Sequence, residues 1–175
     1  MVQTKEKKLI SIIKYSLKKN RIGKNNYAVN ISIKKNNAIR VLKGPQFEYF
    51  SKTSQKEFFS EDYKITNLTD RMGMRIEGKV LKNSVSTNIR SEGITKGAIQ
   101  VPADGQPIIL LTDHPTIGGY PKIANVISAD YDLLIQKIPG EKISFKCMEL
   151  QESEKIYREY LTNISKIIKN IKEIN

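Results

Sequence analysis

Tyr27, Val29, Ile31 and Ile33 alternate with Ala28, Asn30 and Ser32, the period of two that turns one face of a strand toward a core. AIRVL (38–42) continues as a second strand and stops at Gly44-Pro45. Residues 45–60 then change period, and Phe47, Tyr49, Phe50, Phe58 and Phe59 anchor one or two short amphipathic helices. YKITN and RMGMRIEG predict two more strands, and NIRSEG a small-residue loop. GAIQVP and QPIILLTD are apolar runs joined by Pro102-Ala103-Asp104-Gly105, a turn in which proline presets φ and glycine admits positive φ. YPKIANVI is a further strand, Ser128 is placed to cap a short helix over 129–136, and ISFKCM closes the sheet. The ends are helical in period. Leu9, Ile13 and Leu17 predict a helix over 8–19. Tyr157, Tyr160, Leu161, Ile164, Ile168 and Ile171 form one stripe of an amphipathic helix over 152–173. Many short strands at even spacing, without an internal repeat, predict a mainly β domain, a small closed barrel or sandwich with short flanking helices.

Composition narrows this picture. A chain of 175 residues suits one compact domain with appendages. No stretch approaches the roughly 18 apolar residues of a membrane span, and the N-terminus lacks the apolar region and cleavage site of a secretory signal. A single cysteine, Cys147, rules out an internal disulfide, and a single histidine, His114, rules out a Cys/His zinc site. A cytoplasmic protein without a metal is expected. The net charge of +12 is concentrated at one end: residues 1–43 hold twelve Lys/Arg against Glu6, whereas 44–175 hold eighteen bases and seventeen acids. A basic leader of this kind can touch phosphate, but it lacks interleaved aromatics. It reads as a solvated or partner-facing arm, and nucleic acid is not the expected partner.

Four places carry candidate chemistry. In RMGMRIEG, alternation sends Met72, Met74 and Ile76 to one face and Arg71, Gly73, Arg75 and Glu77 to the other. Two guanidiniums and a carboxylate around a glycine suit a planar anion or amide; an exposed face with an Arg–Glu pair is the alternative. Ser91, Glu92 and Gly93 form a polar loop entering a strand that carries Gln100, or a plain loop. Gly105, Gln106 and Pro107 set an amide beside a tight turn, where it binds a ligand or caps its own loop. In TDHPTIGGYPKIA (112–124), Asp113 and His114 emerge from an apolar strand, followed by Gly118 and Gly119, which permit close backbone approach. No Walker loop, GxGxxG or Ser-His-Asp order is present.

RVLKGPQ (40–46), DRMGMRIEG (70–78) and SEGITKGAIQVPADGQPIILLTDHPTIGGYPKIANVISAD (91–130) together resemble the allophanate hydrolase subunit 2 family, biotin-dependent carboxyltransferase-type proteins that include 5-oxoprolinase, urea amidolyase and Kip-type components. The resemblance implies a cyclophilin-like β-barrel. It covers about 38–150, leaving 1–37 as a basic leader outside it and 151–175 as a C-terminal helix. The family's first-half signatures are lacking, so the chain reads as the C-terminal half of that pattern. Carried over residue by residue, the resemblance implies a substrate-binding set: Arg71, Gly73, Arg75, Ser91, Gly93, Gln100, Gly105, Gln106, Pro107, Asp113, Thr116, Gly118, Gly119, Tyr120 and Pro121. Glu92 and His114 are the candidates for proton transfer. Pro115 and Ile117 stand where many relatives have Gln and Thr.

The implied function is a component of an ATP-dependent amide- or lactam-processing complex, 5-oxoprolinase foremost, opening 5-oxoproline to glutamate. The implied partners are a B-subunit-like chain (allophanate hydrolase subunit 1), an A-subunit-like lactam-utilisation protein and the missing N-terminal half. ATP is used by the complex, and no cofactor is bound by this chain alone. The alternatives are carboxyl transfer from carboxybiotin to a urea-like nitrogen, with biotin on another chain, and a non-enzymatic regulator that binds a partner.

Overall fold

The computed structural model describes residues 26–28, 37–86, 88–169 and 172–174. In chain order the strands are β1 (Asn26–Ala28), β2 (Ala38–Lys43), β3 (Tyr63–Thr69), β4 (Gly73–Glu77), β5 (Glu92–Gly93), β6 (Ala98–Gln100), β7 (Ile108–Leu110), β8 (Ile117–Gly118), β9 (Lys122–Val126), β10 (Lys142–Cys147) and β11 (Lys172–Ile174). The helices are α1 (Lys52–Ser60), α2 (Tyr131–Ile135) and α3 (Leu150–Lys169). Two compact units are formed. One, from Lys35 to Tyr157, holds the barrel. The other contains the antiparallel pair of β1 with β11 and α3 from Arg158 onward.

Seven strands close the barrel in the order β10-β2-β9-β6-β7-β4-β3, and β3 returns to β10. Every pairing is antiparallel except β10 with β2. Closure removes the unpaired sheet edges that would otherwise invite association. Alternation works as the sequence dictates. Ile39 and Val41, Tyr63 and Ile65, Met74 and Ile76, Ile99, Ile109, Ile143 and Phe145 all enter one buried core, and each such side chain contributes roughly 1.5–3 kcal/mol by leaving water. Helix α1 lies against β10 with Phe58 stacked on Phe145 at 4.6 Å and tilted against Tyr63 at 6.0 Å. Ser51 caps that helix, its Oγ accepting from the Ser54 N–H at 3.1 Å. Burial pushes the Tyr63 phenol well above its ordinary value.

A smaller apolar cluster of Ile94, Ala98 and Leu110, with Ile108 against it, lies apart from the main core. Ala98 and Gln100 flank the inward-facing Ile99 on β6, so this cluster sits on the barrel's outer face. Two turns have clear causes. The Asp70 carboxylate accepts from the Met72 and Gly73 N–H groups at 2.8 and 3.0 Å, which holds it below the ordinary carboxyl range and fixes the β3–β4 corner. In the Pro102–Gly105 turn the Gly105 N–H donates to the Pro102 carbonyl at 3.0 Å, with Gly105 at φ +72°.

The structure corrects several local expectations. β4 begins only at Gly73, because the Asp70 turn consumes the two preceding residues; Met72 is therefore exposed rather than aligned with Met74 and Ile76. Glu92 and Gly93 are a short strand, not loop. Ser128 opens a 3-10 turn without a side-chain cap, and the expected helix starts at Tyr131. The C-terminal helix ends at Lys169, and 172–174 pair as a strand with 26–28. Leu161, Ile164 and Ile168 of its stripe are exposed. The helix expected over 8–19 lies outside the described residues, as does the expected strand beyond Ala28.

Candidate functional site

Strands β6 and β9 pair with an irregularity that sets Gln100 opposite Lys122. Beside them lies the two-stranded piece β5–β8, in which Glu92 stands opposite Gly118. The two pairs are linked at both corners. Lys122 Nζ reaches Glu92 Oε1 at 2.7 Å, with the lysine side chain only 5% exposed and the glutamate 43%. At the other corner, a Cβ on Gly118 would lie 2.7 Å from Gln100 Nε2. A side chain at 118 would push the Gln100 amide out of this position, and glycine leaves it there.

Gln46 ties the arrangement to β2. The chain leaves β2 at Gly44, where a Cβ would lie 2.2 Å from the Lys122 carbonyl oxygen, and this contact brings Gln46 alongside β9. Its Oε1 accepts from the Lys122 backbone N–H at 3.1 Å, and its Nε2 donates to Glu92 Oε1 at 2.9 Å. The Lys122 ammonium, followed by the Gln46 amide, holds the Glu92 carboxyl below the usual glutamate range. Glu92 is thus a carboxylate at neutral pH, fit to accept a proton or an N–H rather than to donate. Gln100 is buried, and its Nε2 has no hydrogen-bond partner. A buried amide nitrogen left this way costs free energy unless something bonds it.

The other predicted residues fall into two further groups. Arg71 precedes β4 and pairs through Nε with Asp113 Oδ2 at 2.7 Å; the guanidinium side chain is 85% exposed. The Asp113 N–H donates to the Arg71 carbonyl at 3.0 Å. His114 Nδ1 lies 2.7 Å from the Pro115 carbonyl oxygen. Among the described residues no hydrogen bond or ion pair joins His114 to Glu92, so the two proton-transfer candidates fall in separate bonded groups. Arg75 pairs with Asp104 at 2.8 Å, which replaces the Arg–Glu pair considered on β4. The Gln106 amide bonds a different segment rather than its own loop: Oε1 accepts from the Gly78 N–H, just after β4, at 3.0 Å, and Nε2 donates to the Gly78 carbonyl at 3.3 Å. Pro107 accepts from the Ile76 N–H at 3.0 Å. The two arginines thus divide between two ion pairs.

The remaining positions lie in and around the β5–β8 pair. The Thr116 carbonyl accepts from the Ile94 N–H at 3.0 Å, and Gly119 from Ile89 at 2.8 Å. Gly93 lies opposite Ile117. A Cβ on Gly119 would lie 3.5 Å from Ser91 Oγ. Tyr120 offers its carbonyl to Lys122 Nζ at 3.5 Å, and Pro121 accepts from the Val101 N–H at 3.0 Å. Gln46 and Lys122 were missing from the predicted set. The readable signal was a lysine opening the apolar run KIANV: a charge at a covered position needs a partner. Among the described residues no group of three or more His, Cys, Asp or Glu is placed to hold a metal. No described helix is long and apolar enough to cross a membrane.

Comparison with known proteins agrees with this architecture. The family pattern of the carboxyltransferase domain, subdomain A and B, matches residues 4–147, and so begins inside the basic segment 1–37. The 5-oxoprolinase C subunit of Haemophilus influenzae is 40% identical over 133 residues, 74% of this chain and 43% of that protein. The Escherichia coli 5-oxoprolinase C subunit is 40% identical over 119 residues, 68% of this chain and 38% of that protein. The chain therefore spans about two fifths of the length of the curated relatives it matches. The crystal structure of the K. lactis urea amidolyase superposes with a TM-score of 0.72 at 23% identity, covering 78% of this chain and 9% of that one, a likeness of fold. The chain belongs to the carboxyltransferase-domain family, subdomain A and B.

Proposed function

We propose that the chain is a component of an amide-processing assembly of the 5-oxoprolinase type, in which the lactam of 5-oxoproline is opened to glutamate by a reaction driven by ATP. The observation that carries this reading is the Lys122–Glu92–Gln46 cluster beside the unpartnered Gln100 amide. It combines a covered cation, an ionised carboxylate and spare N–H donors, the complement of a group bearing both C=O and N–H. The 40% identity to two 5-oxoprolinase C subunits supports the same class. Glu92, kept ionised by its neighbours, is the proton acceptor in this proposal. The family resemblance makes Arg71 the candidate for a substrate carboxylate; it stands in the separate group with Asp113 and the adjoining His114. ATP is bound by partner chains that correspond to the A and B subunits of such an assembly.

The test is reconstitution with those partner chains and an assay of ATP-dependent glutamate formation from 5-oxoproline. Glu92→Gln should lower turnover by roughly 10²–10⁴-fold, the range of a positioned base, and Arg71→Ala should raise KM for 5-oxoproline. Unchanged turnover in both variants removes these roles. Turnover only of urea with carboxybiotin would transfer the site to carboxyl transfer. No turnover of either substrate, with partner binding intact, would make the chain a regulator.

A further inference from the structure

We propose that Gln100 and Lys122 form a donor pair for a single carbonyl oxygen, and that the β5–β8 pair is the cover that closes over it. The proposal rests on the amide-processing reading for its ligand class, a planar amide, but it is carried by four contacts. Glu92 stands opposite Gly118, Gln100 stands opposite Lys122, Lys122 bonds Glu92, and Gly118 abuts Gln100. These link Lys122 and Gln100 to opposite members of one strand pair, Lys122 to Glu92 and Gln100 to Gly118.

The donors in that set exceed the acceptors. Lys122 carries three N–H groups; Glu92 Oε1 takes one at 2.7 Å, and the Tyr120 carbonyl is a second partner at 3.5 Å. Gln100 Nε2 carries two more and has no partner. Both side chains are more than nine-tenths buried. Two covered donors on cross-strand partners are suited to an oxygen with two lone pairs, and an amide oxygen, which gains negative charge when its carbonyl carbon is attacked, is stabilised most. Glu92 Oε1 already accepts from Lys122 and Gln46. Oε2 of the half-exposed carboxylate is the acceptor for the amide N–H on the same edge of a lactam.

The cover follows from the same contacts. Gln100 Nε2 is shut off from solvent while Gly118 lies against it. Lifting β5–β8 withdraws Glu92 from Lys122 and Gly118 from Gln100 in one movement, so both donors are freed together. A ligand oxygen then reaches both donors, and return of β5–β8 brings Glu92 Oε2 to the amide N–H.

The experiment titrates the ¹⁵N-labelled full chain with 5-oxoproline and with tetrahydrofuran-2-carboxylate, which keeps the carboxylate and ring but lacks the amide. The wild-type chain should bind 5-oxoproline about tenfold more tightly, the worth of a hydrogen bond to a buried donor. The Gln100 side-chain NH₂ resonances should move only with the lactam. Gln100→Leu and Lys122→Met should each abolish that preference, because each removes a donor to the amide oxygen. Equal binding of the two probes by the wild-type chain overturns the proposal, as does full preference in Gln100→Leu. Should either variant fail to fold, the wild-type ratio and the Gln100 resonances decide alone. Undiminished 5-oxoproline turnover by a Gln100→Leu complex sinks this site and leaves the proposed function standing. The expected binding preference without ATP-dependent turnover does the reverse.

Discussion

Removing the two members of the Lys122–Glu92 pair one at a time should give unequal losses of stability. Lys122 is 5% exposed and Glu92 43%, so the ammonium is the covered partner and the carboxylate the hydrated one. Glu92→Ala leaves a covered cation whose remaining acceptor is the Tyr120 carbonyl at 3.5 Å. Stranding one charge of a fully buried pair costs about 3–5 kcal/mol, while exposed pairs are worth about 0–1 kcal/mol. A pair covered on one side lies between, so about 2 kcal/mol is expected for Glu92→Ala. Lys122→Met removes the covered charge and keeps the apolar stem, so its cost should stay within about 1 kcal/mol. The double variant should resemble Lys122→Met, giving a coupling of about 1.5–2 kcal/mol in a double-mutant cycle. Urea denaturation of the full chain followed by circular dichroism measures all four proteins. Because the folded protein holds the Glu92 carboxyl below its unfolded value, the pair's contribution is complete above the unfolded glutamate pKa of about 4.3. It is lost as pH falls through the lower folded value. The coupling should therefore shrink on acidification. A coupling under about 0.5 kcal/mol at pH 7, or a Lys122→Met loss as large as that of Glu92→Ala, would refute the assignment of the pair as covered and one-sided.

Two further outcomes test how the site is held. Gly44→Ala places a Cβ against the Lys122 carbonyl and the Ala124 nitrogen, both backbone, so β2 and β9 must separate; about 3 kcal/mol of destabilisation is expected, a Tm fall of roughly 6–12 °C by calorimetry. Retention of the wild-type Tm would contradict that close approach. Asp130→Asn removes the buried carboxylate that accepts from the Arg40 backbone N–H at 2.8 Å and from Nε at 3.0 Å and also pairs with Nη2. The Arg40 guanidinium is about a third exposed, so a loss of about 2 kcal/mol is expected rather than the full value for a buried pair, and thermal unfolding within about 0.5 kcal/mol of wild type would contradict it.

Periodicity and punctuation determined much of this protein without reference to its folded form. The alternation of Ile39 and Val41, of Met74 and Ile76, and of Ile143 and Phe145 assigned strands and faces because a pleated chain turns every second residue to the same side. Gly44-Pro45 ended β2, and Pro102–Gly105 formed the turn its residues prescribe. Short-range chemistry also misled where a side chain had a better partner. Asp70 took the Met72 and Gly73 N–H groups and delayed β4. Arg71 and Arg75, which share a face in an unbroken strand, instead found Asp113 and Asp104.

What the tertiary structure alone decided is the neighbourhood of Lys122. Gln46, Glu92, Gln100, Gly118 and Lys122 come from five separate segments spread over 77 positions of the chain. They meet because barrel closure sets β2 beside β9 and β9 beside β6, while the outer face of β6 carries the β5–β8 pair. Which donor meets which acceptor across non-adjacent strands depends on pairing register, and register is a property of the closed sheet rather than of any one segment. The sequence supplied the charges and the glycines, and closure of the sheet selected their partners.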